Sequence, residues 1–316
     1  MEAGRLTSHR PTGKLNSMRR ILFAVAAWGV SAARGAAQQV PGRDLLEFPV
    51  GAVVEPPALG REAAGGLWNP AGALLSNGTR VRLGAAALSA PADQAVSAQL
   101  LGASVAIPGG VTASVALVRA SVDDIVRTDT DPQSIGGDVP YHTTLASVGV
   151  ARRTQRYVTA GVALRYRVGQ LDTRRADAVG LDGGIVADGF LPRDVRVGAS
   201  TFLWSPAGQN VERPTYSAAA DFRAMGASAR NEVRAGYAYG YTIRSGDEHY
   251  LFGSARRRVM EARAGLARAR RFGEADWRLR LGVGVYYARY ALSIGREESG
   301  AGLPPTYQFT LTTAIK

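Results

Sequence analysis

Arg165, Arg167, Arg234, Arg263, Arg278 and Arg280 include two pairs set two residues apart. In an extended chain that spacing puts side chains on one face. Guanidinium groups gathered on one face can take a carboxylate or phosphate through forked hydrogen bonds. That is binding chemistry, with no bond made or broken. Asp182, Asp188, Asp221, Glu232 and Glu261 occupy comparable positions. The alternative is therefore mutual pairing that fills an interior and leaves no pore.

Covalent chemistry finds little support. The chain has no Cys, and His9, His142 and His249 are its only histidines. A hydroxyl nucleophile needs an oriented base, usually His. His249 follows Asp247 and Glu248, and His142 ends an Asp-rich stretch, so both read as solvated loop-edge residues. Asp123, Asp124, Asp129 and Asp131 could offer oxygens to Ca²⁺, but the 12-residue loop pattern is missing. Gly109-Gly110 and Gly183-Gly184 lead into no helix and are not phosphate loops. The residues predict no enzyme, no cofactor and no metal site.

The elements that must carry these arginines are strands. Val158, Ala160, Val162, Leu164, Tyr166 and Val168 alternate with Thr159, Gly161, Ala163, Arg165, Arg167 and Gly169. The same alternation recurs from about Thr79 to Ile315 in pieces of about 9–13 residues, the length a tilted strand needs to cross a bilayer. The pieces fall near 79–90, 95–107, 110–122, 144–152, 157–171, 177–188, 195–204, 214–223, 231–243, 248–257, 259–268, 277–287, 289–295 and 306–315. Leu100-Leu101 breaks the pattern, and Asp123 to His142 reads as a long loop. Tyr237, Tyr239 and Tyr241 suit an interfacial aromatic girdle or simple outward packing. The expected fold is an all-β, antiparallel up-and-down transmembrane barrel of 12–14 strands, apolar outside and polar within.

Composition agrees. Hydrophobic residues make up 46% of the 316 and mean hydropathy is −0.06, which excludes a helical membrane bundle but suits a barrel with half its positions inward. Met18-Arg19-Arg20, the apolar run Ile21 to Val30 and small residues to Ala37 form a signal peptide over 1–37, with Met18 an alternative start. Residues 38–78 lack the two-residue period and hold five prolines, with one short helix expected near Leu59 to Ala64; residues 79–316 form the barrel. The formal charge is +12, and it is +7 without the +5 of residues 1–37. These cations are strung along strands rather than clustered, which speaks against a nucleic-acid partner and for a lumen or anionic lipid head groups.

Leu59-Gly60-Arg61 followed by Trp68-Asn69-Pro70-Ala71-Gly72 resembles the N-terminal signature of FadL-type outer-membrane barrels. That superfamily includes transporters of long-chain fatty acids and other hydrophobic compounds, and the PorV/PorQ barrels of protein secretion. Ser147 to Arg152, Ala160 to Tyr166 and Ala178 to Ile185 look like the PorV branch. The resemblance implies an "NPAG" turn closing a lumen plug, with Trp68, Asn69, Pro70 and Gly72 in it. It also implies an outer-membrane location, lipid contact, and either a fatty-acid-like ligand or secretion-system partners. Only Glu62 to Leu67 separate the two elements here, shorter than is usual in the family, so the expected plug is short.

Overall fold

The computed structural model describes residues 40–316, except 48, 53, 62–64, 77, 92–94, 129–134, 190–193, 206–211, 272–273 and 300–303. The expected signal peptide lies outside the described residues, as do Asp129 and Asp131.

Among the described residues sixteen strands follow one another: β1 Val81–Ser89, β2 Val96–Ile107, β3 Val111–Val122, β4 Val126–Thr128, β5 Ile135–Asp138, β6 Tyr141–Arg153, β7 Val158–Leu171, β8 Arg174–Asp188, β9 Arg196–Phe202, β10 Thr215–Ser228, β11 Asn231–Thr242, β12 Gly246–Arg257, β13 Met260–Arg271, β14 Glu274–Tyr287, β15 Tyr290–Ser299 and β16 Thr306–Ile315. All but β4 and β5 close into one antiparallel barrel of fourteen strands. The seam joins β1 to β16, with Val81 opposite Ile315. β4 and β5 form a separate hairpin within the stretch read as a loop, and Tyr141 and His142 already belong to β6. A strand as short as β4 gives too few alternating positions to register a period.

Both ends of the barrel domain lie at the same rim, here the terminal end. The opposite rim, the loop end, carries the long connections 123–140 and 203–214. Several connections are two-residue turns, in which positive φ matches the twist of the strands. Asp172, Arg258 and Ala288 adopt it, at φ 54°, 56° and 51°.

The apolar face points out. Leu101 is 61% and Val148 62% exposed, and dozens of other large apolar side chains share that orientation. Among the described residues no helix is long and apolar enough to cross a membrane, so strands carry the apolar surface. Val148 sits midway along β6, so Val148→Arg would place a charge at mid-height on the lipid face. It is expected to cost about 2–4 kcal/mol of unfolding free energy in vesicles. A neutral result in urea titration would mean that this face is not lipid-exposed.

The inward face is of two kinds, which corrects the expectation of a uniformly polar lumen. Along the loop-end half of β1, β2, β3 and β6 it is mostly apolar, with Leu88, Leu100, Val118 and Leu145 buried, while Arg82, Ser104, Thr112, Ser114 and Ser147 keep the terminal half polar. Leu100 (1% exposed) and Leu101 therefore do not break the alternation; both faces of β2 are apolar there. The reason is the N-terminal segment, whose Leu45, Leu46, Val50, Leu67 and Trp68 pack against that wall. Along β7 to β15 the inner face carries most of the charge.

The described residues of 40–76 run inside the cylinder. The helix expected near 59–64 falls in part on residues 62–64, outside the described residues; a 3-10 turn lies at Pro57–Leu59 and one helical turn at Gly65–Trp68. A further 3-10 turn spans Pro70–Ala73. β9 ends at a kink after Phe202: Leu203, at φ 58°, is buried, while the Trp204 carbonyl still accepts from the Leu181 N–H of β8 at 2.8 Å. Leu203 and Glu212, near the two ends of the β9–β10 connection, are both buried.

Candidate functional site

A segment with so little regular structure carries many backbone carbonyls that need donors once water is excluded. Three wall arginines supply them. A guanidinium has five N–H donors in a fixed fork, enough to serve several oxygens at once. Arg82 (β1) donates Nη2 to the carbonyls of Gly72 (3.0 Å) and Ala73 (2.9 Å), and Nη1 to that of Arg61 (2.5 Å). Arg165 donates Nη2 to the carbonyl of Leu67, Nη1 to Ser147 and Nε to Asp182 at 2.8 Å. Arg167 donates to the carbonyls of Val40 (2.9 Å) and Pro41 (2.6 Å) and forks onto Glu212, with Nε–Oε1 2.7 Å and Nη2–Oε2 2.8 Å. Arg165, Arg167 and Asp182 are buried.

Within the plug, Asn69 is fully buried and caps the Pro70–Ala73 turn. Its Oδ1 accepts from the Ala71 N–H (3.0 Å), while Nδ2 donates to the Ala58 carbonyl (2.6 Å). Pro70 starts that turn, where a missing N–H costs nothing. Trp68 donates Nε1 to the Val50 carbonyl (2.9 Å) and stacks tilted on Phe202, centroids 4.7 Å apart. Gly72 contributes the carbonyl held by Arg82. The plug backbone lies against glycines: a Cβ at Gly161, Gly184 or Gly198 would run into Pro70, Asn69 or Ala58.

The remaining arginines singled out by sequence are matched to carboxylates. Arg234 meets Asp221 at 2.7 Å, Asp194 at 3.1 Å and Glu232 at 3.2 Å. Arg263 meets Glu261 at 3.0 Å and the Tyr286 hydroxyl at 2.8 Å. Arg280 sits between Glu248 (2.8 Å) and Glu297 (2.6 Å), and Arg278 joins it at Glu297 (3.2 Å). Of the carboxylates expected as partners, Asp182, Asp221, Glu232 and Glu261 take these cations, and Asp188 takes Arg61. Glu212, Glu248 and Glu297 went unforeseen, because period-2 reading gives a face but no cross-strand neighbour.

Two groups outside the strands show what this enclosure does electrostatically. Burial lowers the Arg43 guanidinium to about 10, against the pull of Glu47 and Glu212, so it stays charged at neutral pH. Burial pushes the Glu212 carboxyl up, and Arg167 and Arg43 pull it back. Through Arg167, Glu212 is thus tied to the wall and to the start of the plug.

Two of the cavities between plug and wall lie on the charged side and share Pro56 in their linings. The upper one, about 110 Å³ on the loop-end side, has an apolar and aromatic surface of Leu46, Pro49, Pro57, Trp68, Phe202 and Tyr250. The Glu248–Arg280 pair lies at its side, with Arg280 4.8 Å from the Tyr250 ring centroid. Tyr250 donates its hydroxyl to the Val54 carbonyl at 2.8 Å and so joins wall to plug. The lower cavity, about 170 Å³, is lined mostly by charged residues near the terminal end.

His249 lies on the outer face, with Nδ1 2.5 Å from the Tyr237 hydroxyl and Nε2 3.1 Å from Asp247. His142 stands on β6, apart from it in the fold. Tyr237, Tyr239 and Tyr241 are outward and exposed. Among the described residues no group of three or more His, Asp or Glu could hold a metal ion.

No family model matches the chain, and no curated protein matches it. Solved barrels resemble it in fold. OprB of Pseudomonas putida, at low pH, is 6% identical over 75% of this chain and 92% of its own, TM-score 0.42. The outer-membrane protein Omp33 of Acinetobacter baumannii is 10% identical over 75% of this chain and 98% of its own, TM-score 0.42. A variant of the Rh. blastica porin is 12% identical over 74% of this chain and 99% of its own, TM-score 0.38.

Proposed function

We propose that this chain is an outer-membrane barrel that binds a small hydrophobic or amphipathic molecule in its upper cavity and passes it only when the plug moves, with no covalent chemistry. The carrying observation is that cavity: aromatic and proline surfaces with Glu47, Asp247 and the Glu248–Arg280 pair among its lining, inside a cylinder whose outer wall is apolar. Such concave, mostly apolar sites with a few placed polar groups are what small-molecule ligands occupy. Short turns at the terminal end and long connections at the loop end suit a periplasmic and an outer rim respectively. The aromatic side chains Tyr216, Tyr239, Tyr241, Trp277 and Tyr307 lie near the loop end, and Tyr157, Tyr287 and Tyr290 near the other, as two interfacial belts would.

Gly240 gives the test. It lines the upper cavity, and a Cβ built there meets nothing within 4 Å. Gly240→Trp should therefore fill the cavity without disturbing the wall. Binding of a fluorescent amphiphile to the detergent-purified chain is expected to weaken about tenfold or more, the equivalent of 1.4 kcal/mol. Unchanged affinity would remove the upper cavity as the site.

A second reading is favoured by the matched arginines: a PorV-like scaffold for a secretion or surface-attachment system. A plugged interior full of ion pairs serves a scaffold as well as a transporter. Purification of the tagged chain from native membranes separates the two. Stoichiometric secretion proteins would support the scaffold, and a bound lipid-like ligand the transporter.

A further inference from the structure

The lower cavity is polar, sits near the terminal end, and has Val54–Pro56 and Phe252 in its lining. Five arginines and four carboxylates line it. Arg61, Arg196, Arg234 and Arg263 each have a carboxylate partner in an ion pair. Arg256 on β12 has none among the described residues. Its guanidinium lies over the Tyr286 ring, 3.9 Å from the centroid, and its Nε is buried without a hydrogen-bond partner.

Tyr286 is itself held, since its hydroxyl donates to Glu261 at 2.6 Å and accepts from Arg263 at 2.8 Å. The ring therefore fixes the plane of the Arg256 guanidinium. A stacked guanidinium with an unused donor edge is pre-organised for a two-oxygen acceptor. A buried donor normally has a partner, and an orphan calls for one that the folded chain does not supply. The missing partner is an acceptor, and a guanidinium whose Nε meets no oxygen of the folded chain is best matched by an anionic one.

We propose that the lower cavity is an oxyanion site anchored by Arg256, which takes the phosphate or carboxylate group of a small solute arriving from the terminal end. The site is independent of the amphiphile site above it. Glu261 and Glu232 on the wall and Glu55 on the plug set a limit on ligand charge, since each repels an anion that strays from Arg256.

The experiment is calorimetric titration of the full chain in detergent with inorganic phosphate and, separately, with acetate. Saturable binding of either is expected. Tighter phosphate binding identifies a phosphate group as the natural partner, and tighter acetate binding a carboxylate. Arg256→Gln should weaken the interaction about tenfold or more, as loss of a charged hydrogen-bond donor does. Arg256→Lys keeps the charge but loses fork and stacking, and should also bind more weakly than the parent chain. Heat-modifiable gel migration confirms that each variant is a folded barrel. If Arg256→Gln does not fold, the lysine variant decides. Absence of saturable binding by both anions, or full affinity in a folded Arg256 variant, overturns the proposal. Gly240→Trp should leave phosphate binding unchanged, so failure of the upper site and failure of the lower are read separately.

Discussion

Arg165→Ala is expected to destabilise the folded barrel by about 3–5 kcal/mol, the cost of leaving a buried charge without its counter-ion. The side chains of Arg165 and Asp182 are both fully buried, and their contact is 2.8 Å. Without Arg165, Asp182 keeps the Trp204 N–H at 3.2 Å but loses its one ion-pair contact among the described residues. The carbonyl of Leu67 in the plug and the Ser147 hydroxyl lose a donor at the same stroke. Removing both charges should be far milder. The double variant Arg165→Met with Asp182→Leu is expected to regain much of the loss, because the desolvation penalty disappears with the pair. It should not regain all, since the Leu67 carbonyl remains short of its donor. Urea unfolding in vesicles gives all the corners of this cycle. An Arg165→Ala variant within about 0.5 kcal/mol of the parent chain, as for an ordinary surface change, would show that the pair does not hold the plug in place.

Gly161→Leu is expected to dislodge the plug while the barrel stays closed. Gly161 pairs with Ala151 on one side and Gly184 on the other, so the wall is fixed by hydrogen-bonded neighbours. A Cβ there would overlap the backbone of Pro70 and Ala71, which cannot rotate away as a side-chain end could. The Pro70–Ala73 turn must shift, taking with it the Asn69 cap and the carbonyls that Arg82 holds. Limited proteolysis should then cut within residues 40–76, and planar bilayers should carry an ion current that the parent chain lacks. Gly183 is the control: a Cβ there meets nothing within 4 Å, so Gly183→Leu should stay protease-resistant and silent. A folded Gly161→Leu barrel with an intact N-terminal segment and no current would mean that the plug is not seated as described.

Strand existence was legible because each strand carries its own signal. All fourteen expected segments are barrel strands, including the turns at Arg258 and Ala288, where no Gly or Asn marks them. The β4–β5 hairpin was missed, since three or four residues cannot show a period. The apolar inner wall was hidden for a related reason. When both faces are apolar, as at Leu100 and Leu101, alternation vanishes although the strand remains.

The candidate residues divide the same way. That Arg165, Arg167, Arg234, Arg263, Arg278 and Arg280 face inward followed from their place in the pattern. What each one does depends on a neighbour distant in sequence. Arg165 and Arg167 hold plug carbonyls some 98–127 residues away, whereas Arg280 is caught between two glutamates. Arg256 was passed over, because nothing local distinguishes an arginine with a partner from one without.

The amino-acid order by itself determined that this chain is a cylinder of strands and which side chains look inward, because a two-residue period is a local property of an extended backbone. Only the tertiary structure decided that the cylinder is filled. Strand register and the path of an irregular segment set which donor meets which acceptor, and those meetings turn a row of arginines into the clamp of a plug and leave Arg256 with an unused edge.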